Sequence, residues 1–129
     1  MWRDLIAGSL GAKEALMGRK KESEHQIAKA LTAFAKAHMP ITPNLISVSI
    51  HPHCVVAALQ DIIAPAEKNY AEKEKSCRLL EEFYDNIFNA QKRLLEAAVE
   101  NILGRLIGSS ILWVEPKSGD GVIMFTFAG

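Results

Sequence analysis

The chain has 129 residues, with 15 Lys plus Arg against 15 Asp plus Glu and no formal net charge. That length suits one domain, able to bury roughly two-thirds of the surface its unfolded chain exposes, so neither disulfides nor a metal is needed for folding. The balanced charge lacks the basic excess of a nucleic-acid binder, so nucleic acid is not an expected partner.

Residues 1–21 carry Gly8, Gly11 and Gly18 and only a weak apolar stripe of Leu5, Ile6 and Leu10. They read as an N-terminal extension, a frayed or docked helix, ahead of a single domain over residues 22–129. Asp4 and Glu14 interrupt the basic-then-apolar order of a secretory signal. The basic cluster Arg19-Lys20-Lys21 is followed by Glu22 and Glu24 and reads as a solvated helix face.

Residues 22–38 predict a clearer helix. Ile27, Ala30, Leu31, Phe34, Ala35 and His38 recur at three and four spacing, which places them on one face. Ser23 and Gln26 have the spacing of a capping box, and Pro40 and Pro43 end the run.

"LISVSI", Leu45 to Ile50, alternates polar Ser47 and Ser49 with Ile46, Val48 and Ile50, which are expected to face inward from a strand. "CVVAAL" predicts a second strand. Between them Pro52 cannot donate to a ladder, so "HPH" is the tip of a hairpin.

From Pro65 to Leu103 the pattern is helical, with Leu79, Leu80, Phe83, Ile87, Leu94, Leu95, Ala98, Val99, Ile102 and Leu103 at helical spacing. One unbroken helix would be roughly 58 Å long, against a radius of gyration of about 14 Å for a compact domain of this size. A break is therefore expected in "EKEKS", with Ser76 capping the new start, and Gly104 or Gly108 ending it. "SSILWV", the turn "EPKSGDG" and "VIMFTF" complete a second hairpin.

The order α-β-β-α-β-β predicts an α+β fold: a two-layer α/β sandwich with a long helix over a four-strand, mainly antiparallel sheet. "CVVAAL", "ILWV" and "VIMF" are apolar at both alternating positions, whereas a sheet with one solvated face should alternate cleanly. The face away from the helices is expected to be covered by a second copy, giving a homodimer, or by another protein. Val56, Trp113 and Met124 on the strands, and Phe83, Tyr84 and Phe88 on the long helix, are the expected interaction residues.

Chemistry has weaker claims. A zinc site needs about four ligands. His51, His53 and Cys54 supply at most three, and the tip of a short hairpin splays its side chains, so no metal or other cofactor is expected. Cys54 and His53, adjacent along a strand, point to opposite faces, which is poor geometry for a thiol nucleophile. Cys54 and Cys77 stand outside any spaced cluster and read as free thiols of a reducing compartment. The carboxylates of the helical stretch mostly have a basic partner three or four residues away, as Glu74 has Arg78, and nothing isolates an acid/base pair. "LIGSSI" lacks the second glycine of a nucleophile elbow. No apolar run approaches the 18 or so residues of a membrane span. The expectation is a cytoplasmic, non-enzymatic protein without a span.

Three blocks carry a family resemblance over about Glu22 to Phe127. They are "ISVSIHPHCVVAALQDIIAPAEKNYA", "RLLEAAVENILGRLIG" and the final "GVIMFTF". Their order and spacing resemble the MpsC-like family, named for a bacterial Na+-translocating, membrane-potential-generating system. The chain departs from that pattern at Asp61, where the family usually has Gly, and at Ala64, where a Thr usually caps the next helix. "MPITPN" stands in place of a Gly-rich turn, and "HPH" replaces the usual turn acid. The resemblance implies association with membrane ion or inorganic-carbon transport and brings no catalytic residue with it. The expected function is protein–protein contact, accessory or regulatory to such a system through a membrane-associated partner. The alternative is a small-molecule or metal-binding sensor using the tip residues His51 to Cys54.

Overall fold

The computed structural model describes residues 2–41 and 44–129, with side chains from residue 18 onward. The elements are α1 (Trp2–His38), β1 (Leu45–Ile50), β2 (Cys54–Gln60), α2 (Pro65–Tyr70), α3 (Glu74–Leu103), β3 (Ile107–Glu115) and β4 (Asp120–Phe127). The chain is α+β, and its sheet is antiparallel throughout.

The first helix is longer than the pattern over residues 22–38 implied. It runs unbroken through residue 22, so Ser23 lies inside the helix and caps nothing. Gln26 turns back onto Glu22 instead, its Nε2 donating to Oε1 at 3.2 Å. How the side chains of residues 1–17 dock lies outside the described residues, as does Pro43. The buried stripe is as expected at Ile27, Leu31, Phe34 and Ala35, while His38 is exposed.

β1 and β2 pair from Leu45↔Gln60 to Ile50↔Val55, which puts His51 to His53 at the tip. Arg105 braces that tip, donating from Nη1 to the Pro52 carbonyl at 3.2 Å while its guanidinium lies 3.7 Å above the Phe127 ring.

The long helical stretch does break, at Ala71–Lys73, and α3 starts at Glu74. Ser76 is not its cap. Lys73 holds the N-cap position without a side-chain hydrogen bond, and Ser76 is buried in the first turn. Gly104, at φ +66°, ends α3 with its N–H on the Glu100 carbonyl at 2.8 Å. A left-handed residue is readily supplied there by glycine, which has no Cβ to clash. Gly108 instead sits at an irregularity in β3, between Ile107 and Ser109.

The sheet order is β1-β2-β4-β3. The connection through α2 and α3 carries the chain past the place that β4 later fills, so β3 becomes an edge strand. One sheet face presents Val55, Ala57 and Leu59 of β2, Leu112 of β3, and Ile123 and Phe125 of β4 to the helices. Tyr84, Phe88, Leu95 and Val99 of α3 and the α1 stripe close the core from above. Phe34 and Phe88 meet edge to face at 6.4 Å between ring centroids.

Candidate interaction surface

A strand's side chains alternate between faces, so burying one set fixes where the other points. Register places Ser49, Val56, Met124 and Ile111 in one row across the sheet, and Ser47, Ala58, Val122 and Trp113 in the next. Both rows lie on the face away from the helices. Val56 is half-buried, whereas Met124 is 37% exposed, Ile111 56% and Trp113 73%. Leu45, also 56% exposed, lies on the same face of β1, opposite Gln60 and beside Ser47. A contiguous apolar surface of this kind on a polar-rimmed domain marks a contact site.

Three of the six expected interaction residues, Val56, Trp113 and Met124, therefore come together on this face. Phe83 is exposed, at 48%, but on α3. Tyr84 and Phe88 belong elsewhere: they are 0% and 1% exposed and form the core between α3 and its neighbours. Tyr84 donates its hydroxyl to Glu67, clasping α2 to α3, and burial with that hydrogen bond pushes the phenol pKa far up. Apolar spacing along a two-stripe helix does not separate the covered stripe from the open one, which is why Tyr84 and Phe83 look alike in sequence. Ile111 and Val122 were missed as surface residues, although register pairs them with Met124 and Trp113. The sequence signal, apolar residues at both alternating positions, was present; the strand partners were not.

β3 is exposed along one side. The Ser110 carbonyl points away from β4, to Lys92 Nζ at 3.4 Å. Antiparallel strands alternate such groups, so the backbones of Leu112 and Val114 face the same open side. Beside this edge runs a groove of about 960 Å³. Residues 111–115 line it in unbroken succession together with Gly121 and Val122 of β4, so the groove runs along β3 and reaches onto the open face. Its far wall is α3, with Glu81, Glu82 and Asp85; Glu115 and Asp120 add two more carboxylates.

The hairpin tip offers less. His51 and His53 are exposed and Cys54 half-buried. Beside the Arg105 brace on the Pro52 carbonyl, the tip has a local bond between Ser49 Oγ and His51 Nε2 at 3.1 Å. Among the described residues no three His, Cys, Asp or Glu side chains group so as to hold a metal. Cys77 is a poor thiolate: burial raises its pKa, and Glu81 raises it further.

Behind β3 a polar clasp sets the strand's position. Ser110 Oγ donates to the buried Glu96 Oε2 at 2.6 Å. Glu100 takes the Arg93 fork at 2.8 and 3.2 Å and the Ile107 N–H at 2.8 Å. These bonds anchor β3 to α3 and hold its outer residues, Ile111 and Trp113, to the open face.

The family model for the Na+-translocating membrane potential-generating system (MpsC) matches residues 19–129. The chain belongs to this family. The match takes in β1 to β4, α2, α3 and α1 from residue 19 onward. No curated protein and no solved structure matches the chain. In this MpsC-family chain, no described helix is long and apolar enough to cross a membrane.

Asp61, beside the groove's Asp120, has φ +51°, in the left-handed region. Its N–H donates to Asp120 Oδ1 at 3.0 Å and its carboxylate accepts from Lys68 at 2.6 Å, and the Lys68 bond holds the Asp61 carboxyl below the usual carboxylate range. Asp tolerates this backbone better than most residues because it bonds locally.

Proposed function

We propose that this MpsC-family protein is a cytoplasmic, non-enzymatic interaction module. It works as a homodimer and serves as an accessory or regulatory part of a membrane ion or inorganic-carbon transport system. The observation that carries the reading is the uncovered apolar sheet face. A monomer stable in water gains nothing from presenting Trp113, Ile111, Met124 and Val122 together. The family's description supports a membrane system as the setting.

The test is affinity capture from native lysate, with soluble and membrane fractions separate, using wild type and Trp113→Lys as paired baits. Stoichiometric recovery of an integral membrane transport protein by wild type, and its loss with Trp113→Lys, is the expected result. Equal recovery by both baits, or recovery of no membrane protein, overturns the reading.

A further inference from the structure

We propose that the groove along the free edge of β3 binds an extended segment of another protein, whose apolar and basic residues alternate. The segment adds to the sheet as a fifth strand. This names the partner's chemistry for the interaction function above and rests on that reading.

The backbone sets the first requirement. Leu112 and Val114 direct their N–H and C=O groups out of the sheet, and β3's sole strand partner is β4 on its other side. Unpaired edge groups are a template for one more strand. Five consecutive residues, 111–115, line the groove, a length of roughly 17 Å at strand rise.

Alternation sets the second. A strand laid along β3 places its side chains in turn toward the two faces. Those on the open face would lie beside Ile111 and Trp113, both exposed and apolar. Those on the helix side would meet Glu81, Glu82 and Asp85. Glu81, Glu82 and Asp85 are the acids on the helix side, Glu115 and Asp120 lie on the open face at the strand's end beyond Trp113, and no Lys or Arg lines the groove. None of those five is in an ion pair among the described residues. Charge complementarity therefore calls for Lys or Arg at every second position and apolar residues between them.

The same charges argue against a second copy in this groove. Antiparallel pairing of β3 with β3 would set each acidic wall against its twin, which is repulsive at short range. No stretch of this chain alternates Lys or Arg with apolar residues either. Stacking of two open faces, as the homodimer needs, shares Ile111 and Trp113 with the groove but leaves the backbone edge of β3 free.

The probe is a fluorescein-labelled peptide of alternating lysine and valine, titrated with the full chain and followed by anisotropy. Saturable binding is expected, weakening with added salt because exposed charges are screened. Two changes should each raise Kd by at least about tenfold. One is Glu81→Lys with Glu82→Lys and Asp85→Lys, all at exposed positions and checked for unchanged melting. The other is N-methylation of alternate peptide amides, which removes strand pairing and keeps the charge. Absence of saturable binding overturns the proposal. So does binding indifferent to N-methylation, which would be ionic attraction alone. The two readings fail separately. If the peptide does not bind while Trp113→Lys still abolishes membrane-protein capture, only the groove assignment falls. If the peptide binds as described but no membrane protein is captured, the transport setting falls and the groove stands.

Discussion

At the scale of single residues, the segment between β2 and α2 carries two residues that its backbone does not favour. Ala64 holds the N-cap of α2 at φ −62° and ψ 147°, with no side-chain cap bond. Its carbonyl already accepts from Glu67 and Lys68, so the backbone is set for a cap that Ala cannot complete. Ala64→Thr should therefore stabilise the protein by about 1 kcal/mol, read as a higher urea midpoint with unchanged slope. A midpoint that does not rise would mean that this short helix does not limit stability. The Asp61 carboxylate supports its left-handed backbone through Lys68; glycine, with no Cβ, would not need that bond and would keep the N–H bond to Asp120. Both residues are legible in the sequence, but the backbone angles that make them less favourable are not.

At the scale of elements, the junction of α3 with β3 decides whether the open face is presented at all. Gly104 turns the chain, and Arg93, Glu100 and the Ile107 N–H tie the two elements together. The Arg93 fork, then the Ile107 N–H, holds the Glu100 carboxyl below its ordinary value of 4.5. A carboxyl with a lowered folded pKa adds stability above its unfolded pKa, and that stability is lost as pH falls through the folded value. Glu100→Gln should accordingly lower the melting temperature clearly at pH 7. The gap from wild type should close as the pH falls below about 4. A gap of the same size at both ends of the titration would assign the effect of Glu100 to shape instead of charge. The break before α3 belongs to this scale too. Its place near "EKEKS" was legible from length alone, since an unbroken helix would outgrow the domain. The cap was not: Ser76 is drawn into the buried side of the first turn, and Lys73 takes the N-cap.

At the scale of the whole molecule, one side of the sheet is occupied by helices and the other by nothing else in the described chain. Light scattering at tens of micromolar should give twice the chain mass for wild type. It should give the monomer mass for Trp113→Lys with Met124→Lys, at a melting temperature close to wild type. These side chains are 73% and 37% exposed, so a charge there displaces little packing. A monomeric wild type would remove the homodimer, and a collapsed melting temperature would show that the two residues support the fold itself.

The order of elements, both hairpins, the inward residues Ile46, Val48 and Ile50, and an apolar second sheet face were all determined by the sequence. Period two, period 3.6 and turn residues are local signals that survive without knowledge of the partner element. Tertiary structure decided the rest. It merged residues 2–38 into one helix, buried Tyr84 and Phe88 while leaving Phe83 open, and set the order β1-β2-β4-β3. That order makes β3 an edge and brings Glu81, Glu82 and Asp85 alongside it, across some thirty residues of chain. Strand order and helix facing depend on contacts between segments far apart in sequence, and no periodicity within one segment records them.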